Sequence, residues 1–296
     1  MMAPKWVARG LSRLALGLGT LAVLARPLRG QEEVPPEPKP ELVEQAPDAP
    51  PAKGIAAVPK ILWDDTVFIL GSPFRWDKQD WLQTGGGFAL VVGTALLLDT
   101  RVRDEAQRHR SPDSEKVARQ VQNFGTSYAF LAVGGFWAYG QLAGSSNAVD
   151  TGLDAAEASL IAGAVIGPLL KTVVGRSRPS EDLGTFHFRP FGGGVSAPSG
   201  HTTEAFTLAR VITEHYPQAW VRYLTYGVAT LVGVARIQQN AHFASDVVSG
   251  ALLGSLVGRT VVRRNQARRA GPGTLKVSLD ANLGVGYQGA TLSLQF

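Results

Sequence analysis

The sequence predicts an all-α protein: a six-helix bundle with a short C-terminal β-hairpin or small sheet. Three observations predict it. Apolar segments of helical length, rich in Ala, Leu and Gly, recur over residues 81–262. Pro and Gly clusters at 175–179 and 190–198 break that series into separate rods. After Arg269 the apolar residues fall on alternate positions, at Leu275, Val277 and Leu279, then Leu283, Val285 and Tyr287, then Ala290, Leu292, Leu294 and Phe296, the period of a strand.

Residues 1–30 open with Lys5, Arg9 and Arg13 and continue into an apolar run over 14–24, the layout of a cleaved leader or an uncleaved N-terminal anchor. Residues 31–60 begin as a Pro-rich, acidic stretch with few large apolar side chains, too little to bury for folding, and read as a linker. The helical domain then spans 61–270, with helices expected at 81–98, 124–143, 155–170, 202–216, 221–235 and 247–262. The strands occupy 271–296.

The segment 124–143 carries no charge and is long enough to span a bilayer. Against a membrane reading, 202–216 contains Glu204, Arg210 and Glu214, each costing about 2.5–3.5 kcal/mol at the centre of a span on insertion scales. The favoured expectation is therefore a bundle exported to the periplasm or cell envelope, resting on a membrane surface. The alternative is a multi-pass inner-membrane protein whose site faces the periplasm.

Composition removes several chemistries. With no Cys there is no disulfide scaffold, thiolate nucleophile, thiolate zinc site or iron–sulfur cluster. The net charge of +5 is not gathered into a basic stripe with interleaved aromatics, so no nucleic-acid partner is expected.

Three stretches carry chemistry. In Lys171–Pro179 a helix ends and Lys171, Arg176 and Arg178 leave it within eight residues; alone, such cations read as complements of the helix dipole. In Pro198-Ser199-Gly200-His201 a hydroxyl and an imidazole sit where a helix opens, an anion site or a plain serine cap. In Arg236–Asp246 the i, i+4 spacing of His242 and Asp246 places a carboxylate to hold one ring nitrogen and leave the other free, or forms a surface ion pair.

In this order, Lys-x6-Arg-Pro, Pro-Ser-Gly-His and Arg-x5-His-x3-Asp resemble the three-part signature of the type 2 phosphatidic acid phosphatase and vanadium haloperoxidase superfamily, over Lys171–Asp246. The resemblance implies the acid phosphatase/haloperoxidase type of helical bundle and, in the phosphatase branch, a metal-independent phosphatase acting on phosphate monoesters or diphosphates, lipid phosphates foremost, with no cofactor. It further implies that Lys171, Arg178 and Arg236 neutralise the phosphoryl oxygens, with Ser199 and the Gly200 N–H completing the cradle. His242, oriented by Asp246, would form a phosphohistidine, and His201 would protonate the leaving oxygen. One departure is visible: the family usually has Ser before the third-motif Arg, where this chain has Ala235. His109, His187 and His215 lie outside the motifs.

Rival readings are a vanadate-dependent haloperoxidase using the same pocket and a non-catalytic envelope binding protein. A serine hydrolase lacks the G-x-S-x-G elbow and leaves the three cations unexplained. The basic residues Arg259, Arg263, Arg264, Arg268 and Arg269 read as a solvated helix end or as a grip for anionic headgroups close to the site.

Overall fold

The computed structural model describes residues 58–270 and, as backbone alone, the segments Lys276–Gly284 and Tyr287–Gln295. The leader and most of the linker lie outside the described residues. So do the side chains of the terminal strands; the two segments run antiparallel, but the all-helical body does not establish a terminal sheet.

The helices are α1 (Val58–Leu70), α2 (Lys78–Leu97), α3 (Asp99–Arg108), α4 (Pro112–Val121), α5 (Ser127–Ala143), α6 (Ser146–Ser159), α7 (Gly167–Val174), α8 (Gly200–His215), α9 (Ala219–Gln238) and α10 (Ala244–Ala270). Every helix expected from an apolar run is present. Segment 155–170 belongs to a longer rod in which α6 passes through a π-helical turn, Leu160–Ile166, into α7. Three helices were not expected. The chain is already helical at Val58, inside the segment read as linker. The Arg-rich connection after Asp99 is α3 and α4, whose sequences are too polar to register as apolar runs.

α8 is the axis of the bundle. Thr202, Thr203, Thr207 and Thr213 are buried along it, and three of these hydroxyls return to backbone carbonyls four residues earlier, at 2.8–2.9 Å. α10 lies against α8 through Gly250, Gly254 and Gly258. A Cβ on these glycines would stand 2.7 Å from the Ser199 carbonyl oxygen, 2.2 Å from that of Thr203 and 2.9 Å from that of Thr207. Only hydrogen fits between two backbones this close. The Ser199 N–H then donates to the Asp246 carbonyl at 2.9 Å, so the N-terminal ends of both helices arrive together. Around this pair Ile69, Ala129, Ala158, Ile161, Val211 and Val261 form the main core.

The outward faces are apolar. Phe88 on α2, Leu131 and Leu142 on α5 and Tyr223 on α9 are 69%, 70%, 89% and 79% exposed. The rod Ser146–Val174 and α10 are each long and apolar enough to cross a membrane; α2 and α3 pass the same test together, bent by 54°. The charges of α8 do not oppose this, because they face protein. Glu204 accepts from Ser159 Oγ at 2.6 Å, and Arg210 pairs with Glu214. The insertion penalty that favoured a soluble exported bundle applies to charges facing hydrocarbon. The protein thus fits a membrane or envelope location, the alternative of the two expectations.

The basic end of α10 does not flank the site. Arg264 and Arg268 bind Asp65 of α1, and Arg269 binds Asp154 of α6. At 1.5 Å rise per residue this network stands roughly 27 Å from Asp246.

Candidate active site

Four structural breaks converge at one end of the bundle: the end of α7, the start of α8, the end of α9 and the loop leading into α10. Lys171 lies in the last turn of α7, which Gly175 terminates in the left-handed region at φ 58°. A side chain at Gly175 would meet the Arg189 carbonyl at 1.9 Å, so glycine lets the loop after Arg178 fold back over the site. Arg178 opens the short turn Pro179–Glu181, held by its N–H donating to Glu181 Oε1 at 2.9 Å.

Ser199 stands at the N-cap of α8 but its side chain caps no backbone N–H, so the plain-cap reading fails. It is fully buried and accepts from Thr202 Oγ1 at 3.0 Å, which leaves its own proton free to donate. The first N–H groups of the helix are left uncapped, the ordinary setting for an anion. A Cβ at Gly200 would lie 3.7 Å from Lys171 Nζ, which places that cation beside the helix start.

Arg236, in the last turn of α9, is gripped through Nη1 by the amide oxygens of Gln122 and Gln239. Three buried donors here have no acceptor: Arg178 Nε, Arg236 Nε and Gln239 Nε2. Gln239 was not singled out in the sequence; its backbone N–H donates to the Ala235 carbonyl at 3.1 Å.

Both histidines feel the same three cations. Burial and then Arg236, Lys171 and Arg178 push His201 down to about 4 and hold His242 well below the ordinary imidazole value. The structure therefore brings together Lys171, Arg178, Ser199, Gly200, His201, Arg236 and His242. A cavity of about 110 Å³ adjoins them, with Lys171 and Gly200 in its lining and Ala162, Gly163, Gly167 and Pro168, beside the π-helical turn, as apolar wall.

Asp246 is close but is not the direct partner expected. His242 lies in the loop before α10, so the helical i, i+4 geometry does not apply, and its Nδ1 stands 3.9 Å from Asp246 Oδ2. The Nδ1–H instead donates to the Ser196 carbonyl at 2.8 Å. Asp246 accepts from Ser196 Oγ at 2.6 Å, the Phe243 N–H at 2.9 Å and Arg176 Nη1 at 2.7 Å. Ser196, Arg176 and Asp99, which bonds Arg176, were legible only as members of loops and cation runs. The other histidines have partners of their own: His187 shares a hydrogen bond with Ser177, His215 with Asp154 and Asn147, and His109 with Glu105.

Comparison with known proteins agrees with this picture. Residues 153–270 match the model of the PAP2 superfamily. A lipid A 1-phosphatase of Rhizobium etli is 34% identical over 95 residues, 30% of this chain and 40% of that protein. One of Porphyromonas gingivalis is 45% identical over 65 residues, 21% of this chain and 15% of that protein. A third, of Rhizobium johnstonii, is 33% identical over 96 residues, 31% of this chain and 38% of that protein. The chain thus spans less than half the length of the curated relatives it matches. Among solved structures, Aquifex aeolicus LpxE is similar at 23% identity and TM-score 0.45, over 56% of this chain and 95% of that one. A PAP2 type phosphatidylglycerolphosphate phosphatase of Bacillus subtilis is similar at 20% identity and TM-score 0.43, over 62% and 95%. The family match takes in all three motifs and the two helices that hold them together; over residues 153–270 the chain is similar to the PAP2 superfamily.

Proposed function

We propose that this chain is a metal-independent phosphatase that hydrolyses lipid-linked phosphate esters through a phosphohistidine on His242. The observation that carries the reading is the convergence of Lys171, Arg178 and Arg236 on two imidazoles that they and burial keep neutral. Buried guanidinium donors without acceptors are costly unless an anion meets them, and a phosphoryl group supplies the oxygens.

With its Nδ1–H on a carbonyl, His242 presents the Nε2 lone pair, which attacks phosphorus as the bond to the leaving oxygen breaks. Lys171, Arg178, Arg236, Ser199 Oγ and the N–H of Gly200 hold the equatorial oxygens as charge builds on them. With the bound anion offsetting the cations, His201 takes up a proton and donates it to the leaving oxygen. It then takes one from the water that cleaves the phosphorus–nitrogen bond, releasing phosphate and restoring both rings. Three cations supply the charge stabilisation a metal otherwise provides. The apolar wall beside Lys171 and Gly200 suits the lipid part of a substrate, and the relatives named lipid A 1-phosphatases support that class.

The test is phosphate release by purified full-length protein with EDTA present, on a lipid phosphate, a polyprenyl diphosphate and an aryl monoester, beside His242→Ala. EDTA-resistant turnover that falls by about 10³-fold or more in the variant is expected. Turnover abolished by EDTA, or retained in His242→Ala, overturns the mechanism. Vanadate-dependent bromide oxidation without phosphate release transfers the site to the haloperoxidase alternative.

A further inference from the structure

Arg176 stands two residues before Arg178 in the same run of cations, yet its surroundings differ in kind. It is 2% exposed, and each guanidinium nitrogen has an acceptor. Nε and Nη2 donate to the Thr185 carbonyl at 3.2 and 2.6 Å, and Nη2 also to Asp99 at 2.8 Å. Nη1 donates to Ser245 Oγ and to Asp246, both at 2.7 Å. The rings of Phe243 and Phe188 lie 4.2 and 5.3 Å from its Cζ. A guanidinium so occupied has nothing left for a phosphoryl oxygen, whereas Arg178 and Arg236 each keep a donor unpartnered.

What Arg176 does hold is the support of His242, by two routes. Through its side chain it fixes Asp246, which accepts from Ser196 Oγ at 2.6 Å. Through its own carbonyl it accepts the Ser196 N–H at 2.9 Å. Ser196 in turn offers its carbonyl to His242 Nδ1–H. Asp99, at the 54° bend between α2 and α3, balances the charge and also accepts the Ser245 N–H at 2.8 Å.

We propose that Arg176, braced by Asp99, is the positioning residue of this site: it holds Ser196 from both sides and so fixes the tautomer and aim of the His242 ring. The inference rests on the reading of His242 as nucleophile. Lysine cannot replace the arginine, because one ammonium cannot reach Thr185, Asp99, Ser245 and Asp246 at once.

The experiment compares full-length wild type, Arg176→Lys and Asp99→Asn by three readouts: kcat on an aryl phosphate, inhibition by vanadate, and ring ¹⁵N shifts of His242, assigned through His242→Asn. In Arg176→Lys, kcat falls about 100-fold, the scale of lost orienting partners at other functional imidazoles. Vanadate inhibition stays within about threefold of wild type, because the anion cradle is intact. The ring changes from a single Nδ1–H tautomer to a mixture, and Asp99→Asn moves kcat and the ring signature in the same direction. Vanadate affinity that drops in step with kcat makes Arg176 part of the cradle and overturns the proposal, as do unchanged kcat and tautomer. Should Arg176→Lys not fold, Asp99→Asn, nearly isosteric, carries the same readouts. A wild type that neither releases phosphate nor binds vanadate refutes the phosphatase reading instead; the His242 ring signature in Asp99→Asn then decides the positioning claim, tautomer lost in its favour and tautomer kept against it.

Discussion

In the proposed mechanism His201 acts as an acid, while its surroundings keep it without a proton. Burial lowers its pKa to about 4, with Arg236, Lys171 and Arg178 adding repulsion. An anion in the cradle neutralises those cations, so the same event that places the substrate restores the affinity of His201 for a proton. Vanadate binding should therefore raise the His201 titration midpoint, followed by NMR of the imidazole; an unmoved midpoint would leave burial as the whole cause. Stability follows from the same shift. The unfolded chain, with His near 6.5, binds more protons than the folded one between about 6.5 and 4, so the fold loses stability as pH falls through that window. Melting temperatures measured from pH 7 to 4 should drop, and saturating vanadate should reduce the drop.

At the scale of elements, the groups of the candidate site depend on how closely α8 and α10 approach. A Cβ at residue 254 would sit 2.2 Å from the Thr203 carbonyl oxygen, so Gly254→Val must push the helices apart and open the Ser199–Asp246 backbone bond. The expected cost is about 1–3 kcal/mol, read as a lowered melting temperature, with a larger proportional loss of turnover than of stability. Leu252→Val, on the exposed face of the same helix, is the control and should leave both near wild type. The elements divide sharply in how far the sequence announced them. Helices built from apolar runs, and the three motifs on their ends, were legible because burial and phosphate chemistry each demand particular residue types in order. α3 and α4 were not, although Ser111-Pro112 with Ser114 is a capping signal that the structure realises at both bonds. The contact of His242 with Asp246 was misjudged because helical spacing was applied to a residue two positions outside the helix. Arg176, Asp99 and Ser196 carry no spacing rule at all; a loop folded back by Gly175 brings them together.

For the molecule as a whole, charge and apolar surface are segregated along the bundle. Cations and imidazoles occupy one end and the Asp65, Asp154, Arg264, Arg268 and Arg269 network the other, while α2, α5 and α9 carry exposed Phe, Leu and Tyr side chains. Such a surface fits a membrane or envelope location. The glycine contacts of α10 have a consequence for how such a protein answers its lipid. Thicker or thinner bilayers are accommodated mainly by tilting the spanning helices. In a bilayer a tilt of α10 would carry α8 with it, since their backbones approach closely at three successive turns. His201 and His242 then ride on one rigid body, and hydrolysis of a soluble aryl phosphate should stay nearly constant across vesicles of increasing acyl-chain length, even where a lipid substrate, which must itself reach the pocket at a matching depth, is turned over at different rates.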